Sequence, residues 1–239
     1  MINAIRGTKD ILPGEVEYWQ YIEDQFRGIS EKFGYREIRT PIFEFTEVFS
    51  RGIGEETDVV NKEMYTFPDR KGDYITLRPE KTAGIVRAAL QHSLVNQGAT
   101  LKYWYFGPFF RYERPQSGRQ RQFHQYGAEC INSPYPESDV EIIDLSDKIT
   151  KAAGIKEYKL LLNTLGNAET RTRYRNALVE YFRSRQDELS EDSARRLETN
   201  PLRILDSKDD RDIKCSEEAP DILDYLDDES RVHFEKVKE

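Results

Sequence analysis

GPFFRYERPQSGRQRQFHQYGAE, Gly107 to Glu129, is the stretch on which the reading of this chain turns. Its two ends are aromatic and apolar at strand-like density, and between them stands RPQSGRQ, a run that no strand tolerates. The stretch reads as strand, polar loop, strand: a long hairpin with its tip at Arg114 to Gln120. It holds four arginines, four glutamines and two glutamates. Arginine presents a planar, permanently charged fork suited to phosphates and carboxylates. Glutamate and glutamine offer acceptors for an ammonium, an adenine amino group or an imidazole. Arg111, Glu113, Arg119, Arg121, Gln125 and Glu129 could thus bind a nucleoside triphosphate on one side and a small polar cation on the other. The same residues would also suit a solvated hairpin crossed by salt bridges.

Outward from the hairpin, the flanking segments supply an architecture. Val16, Trp19, Ile22, Phe26, Ile29 and Phe33 recur at spacings of three and four, so Pro13 to Phe33 is expected to be an amphipathic helix closed by Gly34. YREIRTPIFEF (Tyr35 to Phe45) reads as extended, an edge or interrupted strand because of Pro41. MYTFPDRKGDYITLRPE (Met64 to Glu80) reads as two strands around a turn at Asp69 to Gly72. TAGIVRAALQHSL is helical, and LKYWYFGPFFRYE leads into the hairpin. PESDVEIIDLSDKITKAAGI is expected to be a helix with Val140, Ile143, Ile149 and Ala153 inward, and YKLLLNTLG a short buried strand. From Ala168 the texture becomes helical and polar. The fold class expected is α+β, an antiparallel sheet flanked by helices lying on one side, with residues 1–167 as one module and 168–239 as another.

Composition sets the limits. At 239 residues, 37% hydrophobic and 12% aromatic, the chain can bury a sizeable core. Its net charge of -8 belongs to the tail: residues 186–239 carry a net -9, leaving a near-neutral body that can still present basic patches. The two cysteines, Cys130 and Cys215, show no metal-ligand spacing and no disulfide framework. No apolar run approaches a membrane span and nothing resembles a signal peptide, so a cytoplasmic, membrane-free setting is expected.

Several segments, in order, resemble the N-terminal half of the bacterial histidyl-tRNA synthetase family, a class II aminoacyl-tRNA synthetase. IRGTKDILP (Ile5 to Pro13) resembles its opening signature and GYREIRTPIFE (Gly34 to Glu44) its dimer-forming motif 1. TLRPEKT (Thr76 to Thr82) resembles the amino-acid-binding strand end. The opening stretch resembles motif 2 with its loop, and TNPLRILDSKD (Thr199 to Asp209) the start of the helical insertion domain. The resemblance runs essentially end to end. It implies a class II synthetase-like sheet, incomplete here, and a histidine–tRNA ligase using ATP and Mg²⁺, working as a homodimer.

The resemblance also implies roles. Arg111 would hold the ATP α-phosphate as the catalytic arginine of this stretch, Glu113 the adenine amino group, and Arg119 the outer phosphates. Glu80, Thr82 and Gln125 would take the histidine α-amino group, and Glu129 its imidazole. Arg114 and Gln116 would face the acceptor end of tRNA(His). Which residues would hold the metal is left open. Lys81 departs from the pattern, which usually has glycine there, and its side chain is expected to point away from the ligands. The family's later parts, including motif 3, a second catalytic arginine and the anticodon-binding domain, do not precede Glu239, so this stretch alone is expected to be inactive. Two other functions compete. One is the regulatory paralogue of ATP phosphoribosyltransferase, and the other is a bare RNA-binding module. Intact Arg111, Glu113 and Arg119 favour the ligase over the first, and paired Glu80 and Glu129 favour it over the second. His124 reads as a strand residue supporting the hairpin, and Cys130 as a small core residue.

Overall fold

Two ten-residue strands, β5 (Leu101–Phe110) and β6 (Gln122–Ile131), form the expected hairpin, antiparallel and in unbroken register from Leu101↔Ile131 to Phe110↔Gln122. The computed structural model describes residues 2–53, 63–95, 98–114, 116 and 118–239; Pro115 and Ser117 of the expected tip lie outside them. Successive strand residues point to opposite faces. Trp104, Phe106, Tyr126 and Ala128 pack against α1 (Val16–Lys32) and α4 (Pro136–Ala152). Tyr103, Tyr105, Phe109, Phe123 and Ile131 face the other way, against Ile85 of α3 (Thr82–Gln91). Helices thus cover both faces, not one as expected. The near-continuous aromatic run LKYWYFGPFF already carries that signal, since a strand buried on one face alternates with polar residues.

β1 (Arg36–Glu37) extends this sheet in parallel at the edge of β5, through Arg36↔Tyr103. A second sheet, β2 (Phe43–Phe45), β4 (Tyr74–Leu77) and β3 (Tyr65–Pro68) in that order, is wholly antiparallel. Pro41 does interrupt the extended segment, and its two halves join different sheets. After β2 the chain enters α2 (Thr46–Ile53), which the sequence pattern did not suggest. Thr76 of β4 is fully buried, and Thr46 and Thr66 exchange hydrogen bonds with its hydroxyl at 2.9 and 2.8 Å. A buried hydroxyl without such partners would be costly.

The helices follow their apolar spacing with two adjustments. α1 begins at Val16 because Leu12 to Glu15 form a turn, with the Glu15 N–H donating to Leu12 O at 2.9 Å. Its end needs Gly34, whose φ of +79 is left-handed. In α4 the buried stripe is Ile142, Leu145 and Ile149, whereas Val140 and Ala153, expected inside, are exposed. Five residues before Leu145, Val140 falls nearly on the opposite side of the helix.

The chain divides into two compact units at Tyr158 and Lys159. The second is helical, with α5 (Ala168–Arg183), α6 (Glu191–Arg196), α7 (Leu202–Leu205), α8 (Asp210–Ser216) and α9 (Asp228–Lys238). Tyr174, Leu178 and Phe182, four residues apart on α5, bury against Leu189, Leu197, Ile204, Cys215 and Ile222. Side chains of Asn167, Ser190, Asp209 and Asp227 cap α5, α6, α8 and α9. The expected buried strand at Tyr158 to Gly166 does not form. No described strand pairs with it, and Leu160, Leu161 and Leu165 are exposed. An apolar run is a strand only where a neighbour completes its ladder.

Candidate active site

Two glycines clear the hairpin face that looks toward α3. Gly127 lies opposite Tyr105, and a Cβ there would stand 2.3 Å from the Tyr105 ring and hydroxyl. Gly107 lies opposite Gln125, and a Cβ there would stand 3.0 Å from Nη2 of Arg78. Into this space come a buried phenol and a buried guanidinium.

Arg78 organises the site. Its Nε donates to Pro108 O at 2.9 Å and its Nη1 to Thr40 O at 3.0 Å, while the guanidinium lies 5.0 Å from the Phe109 ring. Its own backbone N–H donates to Ile42 O and its carbonyl accepts from Phe110 N–H. One side chain therefore joins the approach to β2, the end of β4 and the end of β5. Burial holds its pKa below the ordinary value. Reading the sequence assigned Arg78 no role. The available signal is its strand period, which places it on the same face as buried Thr76.

Beyond Arg78 the chain turns into α3, bringing three expected histidine-binding residues together. The Thr82 hydroxyl donates to Glu129 Oε1 at 2.6 Å, across 47 residues of sequence. Glu80 accepts the Ala83 N–H at 3.2 Å, at the start of α3. Burial pushes the Glu80 carboxyl up, against the pull of the Ala83 and Thr82 donors and of Arg111. Burial pushes the Glu129 carboxyl up as well; Thr82 opposes this and Glu80 adds to it. Gln125 shares their face of β6 by register. Glu80 and Thr82 also border an open cleft of about 1440 Å³ between α2, the β3–β4 turn and α3.

The expected ATP-binding residues lie along the hairpin mouth. Arg111 Nε donates to Pro79 O at 3.0 Å, and its guanidinium lies 5.3 Å from the Phe123 ring. Arg119 and Glu113 pair with each other at 3.2 Å. At the tip Arg114 and Gln116 are exposed, and Gln116 and Arg119 exchange backbone hydrogen bonds. The base of β6 is clipped by the N-terminal segment, because Gly7 O accepts the N–H groups of Arg121 and Gln122 at 2.7 and 3.1 Å. Gly7 has φ +87, and a Cβ there would sit 2.8 Å from the Arg121 side chain. His124 lies on the α1 face, its ring tilted against Trp19 at 4.5 Å and stacked on Phe106 at 5.6 Å.

Lys81 is 2% exposed, with its ammonium 5.2 Å from the Tyr105 ring centre. No ion pair joins it to Glu80 among the described residues. Nor do those residues include a group of three or more His, Cys, Asp or Glu placed to hold a metal ion. Chemically, the two carboxylates on strand and helix ends would receive an ammonium or ring N–H, and Arg111 an anion beside it. No helix among the described residues is long and apolar enough to cross a membrane.

The sequence model of the histidyl-tRNA synthetase family matches residues 7–196. The histidine–tRNA ligase of Microcystis aeruginosa is 55% identical over 237 residues, covering 99% of this chain and 56% of that protein. An apo Staphylococcus aureus histidyl-tRNA synthetase structure aligns over all of this chain and 54% of that one, with TM-score 0.76 and 38% identity. A Bacillus halodurans structure described as an ATP phosphoribosyltransferase regulatory subunit/histidyl-tRNA synthetase has TM-score 0.65 at 24% identity, covering 99% of this chain and 64% of that one, and shows the fold alone. The chain spans about half the length of the curated relatives it matches. The antiparallel hairpin with its flanking helices is that of a class II aminoacyl-tRNA synthetase catalytic domain. The chain belongs to the histidyl-tRNA synthetase family.

Proposed function

We propose that this chain is the amino-acid- and ATP-holding part of a histidine–tRNA ligase. The observation that carries the reading is the meeting of Glu80, Thr82 and Glu129 on one hairpin face, with Arg111 at the strand end beside Glu80. Glu80, Thr82 and Gln125 take the α-amino group, and Glu129 takes the imidazole N–H. A wrong amino acid leaves a buried carboxylate unpaired, which is costly enough to discriminate without editing.

In activation, a histidine carboxylate oxygen bonds to the α-phosphorus as the bond to the β-phosphate oxygen breaks and pyrophosphate leaves. Two anions must approach, so Arg111 holds the α-phosphate and supplies fixed positive charge. Glu113 reads the adenine amino group and Arg119 the outer phosphates, exchanging their mutual ion pair for ATP. Mg²⁺ accompanying ATP would supply further positive charge there. A ribose hydroxyl of the tRNA(His) acceptor end, guided by Arg114 and Gln116, then attacks the histidyl carbonyl and AMP leaves. This division gives residues 1–167 to a partial catalytic core and 168–239 to a helical segment opening the insertion domain. The setting is cytoplasmic, where these substrates meet.

The same reading carries a two-fold dimer. Phe43, Phe45 and Tyr74 on the second sheet, with Leu90 on α3, are large and exposed, which supports a self-complementary contact there. The regulatory paralogue has no need of the Glu113–Arg119 and Arg111 set and is the weaker alternative. The test pairs sedimentation with histidine-dependent pyrophosphate exchange. This chain sediments as a dimer at high micromolar concentration without exchanging, and a polypeptide extended to the relatives' length exchanges. An extended protein that dimerises yet never exchanges would favour the paralogue.

A further inference from the structure

Lys81 is a lysine buried to 2% exposure, and no described residue forms a hydrogen bond or ion pair with its ammonium. An ammonium stripped of most of its water and left without an ion pair is costly, so a fold keeps one only where something offsets it. The offset here is the Tyr105 ring, 5.2 Å from Nζ to centroid. Tyr105 leads straight to the site. Its hydroxyl lies where a Gly127 side chain would otherwise begin, within the field of Glu129 and Glu80 and beside Thr82.

We propose that Lys81 is a positioning residue of the histidine pocket: its ammonium clamps the Tyr105 ring over Gly127, which keeps the phenol beside Thr82 and Glu129. The proposal rests on the reading of Glu80, Thr82 and Glu129 as the histidine site. Burial, with Arg78 behind it, lowers the Lys81 pKa to about 8, so the clamp is released in an accessible range. Glu37 on β1 pulls the other way, and Arg39 adds to Arg78. Arg78, Arg39 and Glu37 keep their charges through that range, and Tyr105, itself pushed up by burial, stays neutral. Lys81 is then the group that changes state.

The test uses this chain as wild type, Lys81→Met and Lys81→Arg. Ring-¹³C tyrosine NMR, with Tyr105 assigned by Tyr105→Phe, reads the ring without any ligand. The wild-type Tyr105 resonance should shift with a midpoint near pH 8, and both variants should lack that step. Histidine binding is measured in parallel from pH 6.5 to 9.5, in polypeptides of the relatives' length carrying the same Lys81 variants. Wild-type affinity should fall about tenfold more across the step than that of Lys81→Met, whose ratio to wild type cancels the substrate's own titration. Lys81→Arg should bind well throughout. Lys81→Met should also melt higher at pH 7 while binding more weakly, a split that a merely structural lysine would not produce. Histidine bound equally by wild type and Lys81→Met at all pH values, or a Tyr105 resonance blind to pH, overturns the proposal alone. A Tyr105 step with histidine bound by neither protein overturns the site reading and the proposal together.

Discussion

Gly127 shows how little side chain the site tolerates. Its backbone is not left-handed, so glycine is needed there only for space, the 2.3 Å between a Cβ and Tyr105. Gly127→Ala must therefore displace the phenol, at about 1–3 kcal/mol by the usual scale of overpacking. Tyr105→Ala in the same chain removes the clash, so the double variant should be clearly more stable than the sum of the two single losses in urea unfolding. Additive losses would show that the two residues do not share this space. At this scale the sequence was only partly legible. Glu80, Thr82 and Glu129 could be picked out by resemblance, and the structure brings them together. Arg78 and Tyr105 could not, because their importance lies in which carbonyls and glycines they meet, and those partners are about 20 to 40 residues away along a folded path. Lys81 was noticed as a departure, but burial under a ring cannot be read from one letter.

At the scale of elements, periodicity carried the long pieces and failed on those that need a neighbour. The β5–β6 hairpin, α1 and α3 follow from apolar spacing and turn residues. YKLLLNTLG has strand composition and no partner. The short helices α6 to α8 are held by one carboxylate. Asp212, fully buried, accepts the Ser190 N–H and the hydroxyls of Ser190, Ser193 and Ser207 at 2.6–2.8 Å. Burial alone would push this carboxyl up, but the four donors outweigh it and hold it below the ordinary value. A carboxyl whose folded pKa lies below its unfolded one adds stability above the unfolded value of about 3.9 and loses it as pH falls through the folded value. Asp212→Asn should cost roughly 2–4 kcal/mol near neutral pH, and its deficit relative to wild type should shrink on acidification. Unfolding followed by circular dichroism between about pH 2 and 6 checks this; a pH-independent deficit would remove the charge from the account.

At the scale of the molecule, the chain forms two compact units, residues 1–158 and 159–239, each with its own core. The first unit sets one hairpin against α3, and we propose that its single face holds histidine while the mouth holds ATP. That division of labour is the central claim, and one measurement tests it most directly: pyrophosphate exchange resolved into its histidine and ATP dependence, in a polypeptide of the relatives' length. Arg111→Ala should lower turnover by about two to three decades, the loss of one preorganised charge at the reacting phosphate. Glu129→Gln should raise the histidine requirement about 10- to 100-fold, or roughly 1.5–3 kcal/mol, and leave the ATP requirement nearly unchanged. Unchanged turnover in Arg111→Ala, or equal weakening of histidine and ATP by Glu129→Gln, would contradict it.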